Sequence, residues 1–158
     1  MFPSRRIATS GGDVFRNEYS LLFDGSNSYV DCGNDSSLQI TGALTISVWA
    51  KTDTDQRHRI VTKYDGTNKC FYLQIKNSGG ELRLNVTSSN TEVEVDGTSS
   101  NLDGKWHHLV GVYTPSTSLK VYVDGVLEGT NTSSIPSSLD NDNVNFVTKD
   151  YITDTNLI

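Results

Sequence analysis

Residues 104–129, GKWHHLVGVYTPSTSLKVYVDGVLEG, constrain the fold more tightly than any other stretch of the chain. In the first half, Trp106, His108, Val110 and Val112 fall on one side of an extended backbone, and His107, Leu109, Gly111 and Tyr113 on the other. In the second half, Leu119, Val121 and Val123 alternate with Lys120, Tyr122 and Asp124. A period of two marks half-buried strands, because successive side chains of an extended chain point to opposite faces. Asp124-Gly125 then predicts a tight hairpin, since a type I′ turn needs positive φ at both central residues.

The rest of the chain has the same character. Ser, Thr, Asn, Asp and Gly are abundant, and no long amphipathic helix is visible. The 158 residues suit one domain with a real core. Further strands are predicted at 19–24, 28–32, 44–51, 58–64, 70–76, 81–87, 91–96 and 144–148, separated by turn-forming Asn, Asp, Gly and Ser. The run 44–51 (LTISVWAK) is apolar or Trp-bearing on both faces and reads as a central strand. The run 81–87 alternates cleanly and should have one wet face. The expected class is all-β, a sandwich or barrel, with residues 1–18 as an N-terminal arm and 19–158 as the sandwich.

Charge and composition exclude some functions. The formal net charge is −6, and beyond Arg5-Arg6 there is no cluster of basic residues, which argues against a nucleic-acid partner. MFPSRRIATSGG lacks the apolar stretch of a secretory signal, and no run approaches membrane-spanning length. The expectation is a chain made in a cytoplasm, not inserted in a membrane, and displayed on a surface or virion through a partner. Cys32 and Cys70 lie in strand-like runs and read as two buried free thiols, with a disulfide as the alternative.

Three segments carry a family resemblance, in order: LLFDGSNSYVDCGN, LTISVWAK, and GKWHHLVGVY followed by LKVYVDGVLEG. Together they resemble the laminin G-like, concanavalin A-like jelly rolls of the group that also holds the pentraxins, over about residues 19–135. The resemblance implies a jelly-roll sandwich of two antiparallel sheets. It also implies a mostly non-catalytic module that binds glycans or proteins, often with calcium. The family's Phe-x-Gly-x-Ile-Asp closing strand has no match in VNFVTKDYITDTNLI. The expectation is therefore a sheet edge completed by another chain, a protein partner or a second copy. The arm residues Arg5, Arg6, Ile7 and Phe15 and the incomplete C-terminal edge would take part in that assembly.

Several residues invite a chemical role. His107 and His108 are adjacent on a strand, so they face opposite ways and cannot chelate one ion together. Glu92, Glu94 and Asp96 share a face and resemble the acid row of some glucan hydrolases. A retaining pair needs carboxyl groups about 5–5.5 Å apart, whereas i and i+4 on a strand are separated by about 13 Å of backbone; the plainer reading is a solvated face. Asp24, Asp140, Asn141 and Asp142 are the calcium candidates, the competing reading being that they form turns. Tyr64, Tyr72 and Tyr122 are the rings expected to be exposed and able to hold a sugar. The reading that results is a non-catalytic binding or assembly domain. A virion or surface structural role comes first, a free-standing lectin-like module with or without calcium second, and a β-glucan hydrolase last.

Overall fold

The computed structural model of the chain describes residues 19–24, 28–64, 69–141 and 146–149, the last of these as backbone. Ten strands follow in order: β1 (Tyr29–Asp31), β2 (Leu44–Ala50), β3 (His58–Tyr64), β4 (Lys69–Ile75), β5 (Leu82–Ser88), β6 (Thr91–Asp96), β7 (His107–Thr114), β8 (Ser118–Val123), β9 (Val126–Asn131) and β10 (Phe146–Lys149). They form two antiparallel sheets, of order β1-β10-β3-β4-β5-β6 and β2-β7-β8-β9. Besides the strands, the described residues hold one 3-10 turn at Ser36–Leu38. No helix among them is long and apolar enough to cross a membrane.

The sheets face each other across an apolar core. Phe71, Leu73 and Ile75 of β4 and Leu82, Leu84 and Val86 of β5 meet Leu109 and Tyr113 of β7 and Leu119 and Val121 of β8. The alternation in residues 104–129 is therefore realised, with His107, Leu109, Gly111 and Tyr113 inward. Asp124 and Gly125 take φ of 51° and 82°, the expected type I′ turn.

Several expectations are corrected. Residues 19–24 form no strand; only an isolated bridge at Phe23 remains. β2 is not central but lies at an edge of its sheet among the described residues, with Thr45, Ser47 and Trp49 turned to solvent. Its apolar composition reflects one buried face, Leu44, Ile46 and Ala50, plus an exposed indole. Cys32 is exposed, whereas Cys70 is buried as expected, and both are free thiols. β10, the segment expected at 144–148, lies inside the six-stranded sheet between β1 and β3, so that sheet is continuous there. The arm residues Arg5, Arg6, Ile7 and Phe15, and Asp142, lie outside the described residues.

The adjacent histidines do separate tasks. His108 faces outward, stacked on Trp49 at 5.2 Å between ring centroids, with Nε2 2.8 Å from the Ser47 hydroxyl. His107 is held between two carboxylates, with Nδ1 2.8 Å from Asp124 and Nε2 3.0 Å from Asp103. This clamp ties the loop before β7 to the β8–β9 turn. Burial disfavours the imidazolium, but its hydrogen bonds to the Asp124 and Asp103 carboxylates outweigh it, and the His107 pKa is raised. A raised pKa means that the clamp contributes its full stability below about pH 6.5, the unfolded value, and loses it as pH rises through the folded one. The melting temperature is expected to fall from pH 6 to pH 9 and the slope to flatten in His107→Gln. An unchanged slope in that variant would remove the clamp as its cause.

Candidate functional site

The outer face of the six-stranded sheet is unusual in being polar and yet buried. Alternation and register place two rows of side chains across it, opposite to the core. One row runs Arg59, Gln74, Arg83, Asp96 and the next Thr62, Tyr72, Asn85, Glu94. Thr87 and Glu92 face each other one pair further along. The wet face expected of β5 is thus polar but closed: Asn85 is 1 % and Thr87 0 % exposed, and on β4 Tyr72 is 7 % and Gln74 5 % exposed. These residues form a floor. Tyr64, Lys69, Glu92 and Glu94, all partly or well exposed, form its rim.

Two of the three ring candidates meet here, but only Tyr64 is part-exposed; Tyr72, expected to be exposed, is buried because the face closes over it, with the Arg59 guanidinium above its ring. Tyr64 and Tyr72 lie edge to face with centroids 6.3 Å apart. The Arg59 guanidinium sits over both, 4.2 Å from the Tyr64 centroid and 4.9 Å from that of Tyr72. A register shift between Arg59 and Val61 inserts one residue, so Arg59 and Thr62, three apart in sequence, both pair with outer-face residues of β4, Gln74 and Tyr72. Tyr122 is not part of the group. It pairs with Val110 and Leu127 on the outer face of the other sheet.

The acidic row is exposed at Glu92 and Glu94, as expected of a solvated face, and it is also a paired network. Arg83 holds Asp96 through two bonds, Nε to Oδ1 at 2.6 Å and an Nη to Oδ2 at 2.7 Å, and reaches Glu94 at 2.7 Å. Lys76 Nζ lies 2.7 Å from Asp96, and Lys69 Nζ 2.5 Å from Glu92. The second oxygen of Glu92 accepts a 2.9 Å bond from the Asn85 amide. Lys69 accordingly holds the Glu92 carboxyl below its ordinary pKa. Burial acts to raise Asp96, but the bonds from Arg83 and Lys76 outweigh it and bring its pKa down as well. A glycoside hydrolase needs one carboxyl raised so that it carries a proton, and these two are shifted the other way.

Four buried side-chain atoms of the floor have no hydrogen-bond partner among the described residues: Thr62 Oγ1, Gln74 Oε1, Asn85 Oδ1 and Thr87 Oγ1. A buried polar group left unpaired costs about 1–3 kcal/mol, so these four call for hydrogen-bond partners, ordered water or ligand.

The calcium candidates do not converge. Asp24 Oδ1 accepts from the Ser28 amide at 2.9 Å. Both Asp140 oxygens are taken by the amides of Ser89 and Asn90, at 2.8 and 3.1 Å, which clamps the β5–β6 turn. Asn141 Oδ1 accepts from the Lys63 ammonium at 3.2 Å, a cation in the place where a metal would need a ligand oxygen. Among the described residues no three His, Cys, Asp or Glu side chains gather as a metal site. The melting temperature is expected to be equal in excess calcium and in EDTA; a clear rise in calcium would contradict this.

Sequence reasoning found Tyr64 and Tyr72 but missed Arg59, Thr62, Gln74, Arg83 and Asn85. The signal available was the polar side of 81–87, where Arg83, Asn85 and Thr87 recur every second residue. Which partners they face depends on register, fixed by long-range pairing and two irregularities in the β3–β4 ladder.

Comparison with known proteins agrees with this architecture. The chain resembles the binding domain of paraclostridial mosquitocidal protein 1, with a TM-score of 0.69 and 12 % identity over 86 % of this chain and 37 % of that one. It resembles the mouse laminin α1 LG4–5 domains, with a TM-score of 0.62 and 20 % identity over 80 % and 33 %. It also resembles the ligand-binding domain of botulinum neurotoxin serotype D, solved in complex with N-acetylneuraminic acid, with a TM-score of 0.64 and 15 % identity over 87 % and 38 %. The chain thus spans about a third of each, and at these identities the likeness is one of fold. No curated protein matches the sequence. The sequence model for the concanavalin A-like lectin/glucanases superfamily, of the laminin G type, matches residues 24–157, a longer span than the motifs alone marked out. On that match and its two-sheet sandwich, the chain belongs to the concanavalin A-like lectin/glucanase superfamily.

Proposed function

We propose that this is a non-catalytic binding domain that recognises a glycan on the outer face of its six-stranded sheet. The observation that carries the reading is the coincidence on one face of a tyrosine pair with four buried polar atoms that lack partners. The part-exposed Tyr64 ring supplies apolar contact to a sugar from the rim, Tyr72 packs edge to face against it, and a few convergent polar groups set the ligand's orientation. The paired Glu92 and Asp96, both with lowered pKa, favour binding over hydrolysis. Fold relatives include a toxin domain solved with a sugar acid, which supports the ligand class without assigning it. The test is a glycan array followed by calorimetry. Tyr72→Ala is expected to weaken binding by tenfold or more, roughly 1.4 kcal/mol, while Tyr122→Ala, on the opposite sheet, leaves it unchanged. Equal effects of the two would sink this assignment.

One observation favours a second reading, an assembly role on a surface or virion. Trp49 of the edge strand β2 (59 % exposed), Trp106 just before β7 (42 %) and Leu127 of β9 at the far end of the sheet (49 %) stand on or beside the outer face of the four-stranded sheet. Exposed tryptophans beside an open edge suit a protein contact. Sedimentation of the intact chain and of Trp49→Glu tests it. A concentration-dependent oligomer lost in the variant supports the reading, and a monomer at all concentrations counts against self-assembly.

A further inference from the structure

We propose that the outer face of the six-stranded sheet selects uncharged glycans that present hydroxyl donors, and rejects sialylated, sulfated and amino sugars. The inference rests on the glycan-binding reading above and narrows it.

Charge is the first argument. Among the described side chains, the cations of the face are Arg59, Lys69, Lys76 and Arg83, and the anions Asp31, Glu81, Glu92, Glu94 and Asp96. Each is already engaged. Asp31 Oδ1 accepts from the Gly33 amide at 2.8 Å. Arg83 bridges Asp96 and Glu94, and Lys69 holds Glu92. Lys76 lies between Asp96 and Glu81, at 2.7 and 3.8 Å. Arg59 covers the two tyrosine rings. A ligand carboxylate or sulfate would have to take Arg83 or Lys69 from its partner and lie beside the carboxylate so released. An ammonium meets the mirror-image obstacle. A charged ligand would therefore lose its hydration with no free counter-charge to replace it. A neutral polyol disturbs none of these pairs.

Hydrogen-bond polarity is the second argument. The Asn85 amide has a determined orientation, because its Nδ2 donates to Glu92, so the free atom is the oxygen. Gln74 presents an oxygen as well, and Thr62 and Thr87 present hydroxyls. Two of these four atoms can only accept and two can do either. The face thus asks for donors without charge, which is the hydroxyl chemistry of a neutral sugar chain. The four atoms span three strands, from Thr62 on β3 through Gln74 on β4 to Asn85 and Thr87 on β5, so an occupant lies across the strands.

The experiment titrates the intact chain with maltohexaose, cellohexaose, chitohexaose and mannan as neutral probes. 3′-Sialyllactose, a heparin hexasaccharide and oligogalacturonate serve as anionic probes, and chitosan hexamer as a cationic one. Each titration is made at low and high sodium chloride. Support is binding of at least one neutral probe, flat with salt because no ion pair is made, and absent for the charged probes. Two variants locate it. Thr62→Val keeps the shape and removes a buried hydroxyl that has no partner, so the melting temperature is expected to hold or rise while neutral-glycan affinity drops about tenfold. Asn85→Leu is expected to weaken binding at least as much. Salt-sensitive binding of an anionic or cationic probe would overturn the selectivity but leave the glycan reading standing. No binding to any probe would overturn the glycan reading itself. Binding unchanged in Thr62→Val and Asn85→Leu but lost in Trp49→Ala would move the site to the other sheet and overturn both.

Discussion

Leu84→Ala is expected to lower the unfolding free energy by about 2–5 kcal/mol, the range for truncating a fully buried leucine. Leu84 is 0 % exposed and lies at the centre of the inter-sheet contact. Opposite it is Gly111 of β7, the one inward position of that strand without a side chain. A Cβ on Gly111 would lie 2.9 Å from Leu73 Cδ1 and 3.1 and 3.4 Å from the two methyls of Leu84. Gly111 therefore makes room for two leucines of the facing sheet, and the two sites share one volume. Gly111→Ala alone is expected to cost about 1–2 kcal/mol through overpacking. In the Leu84→Ala background the new methyl enters the space left by the leucine and the cost should largely vanish. Urea unfolding of the two single variants and the double variant measures the coupling, expected at about 1 kcal/mol or more. Additivity to within about 0.5 kcal/mol would show that the positions do not share that volume.

This pair illustrates which parts of the molecule are legible in sequence. Gly111 is visibly on the inward side of its strand because Leu109 and Tyr113 flank it at a period of two. That its space belongs to Leu73 and Leu84 depends on how two sheets lie over each other, which no local pattern encodes. The strand positions and the Asp124-Gly125 turn were legible for the same reason, since each is decided within a few residues. β2 was misread because an apolar run with a tryptophan looks the same whether its second face is covered or open. His107 shows a further limit. Its partners Asp103 and Asp124 flank it in sequence, but Asp124 reaches it only because β7 and β8 pair in the observed register.

The candidate site was half legible. Tyr64 and Tyr72 stand out as aromatic residues beside polar ones, and Glu92, Glu94 and Asp96 as a one-sided row. The sequence-based reading of that row as solvated holds for Glu92 and Glu94 but misses their pairing with the neighbouring strands. A lone arginine in an alternating strand carries no mark that it will face Asp96 and Glu94 across a ladder. The unpaired floor atoms were illegible altogether. Whether a buried Asn85 or Gln74 finds a partner is a property of the assembled face, not of the residue.

Gly129→Val is expected to cost about 3 kcal/mol or more and to abolish binding at the polar face together with it. Here the collision is with backbone rather than with a movable side-chain end. A Cβ at Gly129 would lie 2.2 Å from the carbonyl oxygen of Asp96 and 3.0 Å from its carbonyl carbon. The seam between β6 and β9 is drawn this close by bonds on either side. Asn131 Nδ2 donates to the Glu94 carbonyl at 2.8 Å, and Glu128 accepts from the amides of Thr98 and Ser99, both at 3.2 Å. A side chain at Gly129 must push β6 away from β9, and overpacking of this kind costs typically 1–3 kcal/mol, more where backbone has to shift. The displaced strand carries Glu92, Glu94 and Asp96, so Arg83 would lose the partners that hold it along the floor. Stability and binding should therefore fall together, unlike in Thr62→Val, where binding alone falls. Denaturant unfolding and neutral-glycan titration of Gly129→Val, with the exposed neighbour Thr130→Val as control, separate the cases. A Gly129→Val protein as stable as the parent would mean that the two sheets do not meet at this seam as described.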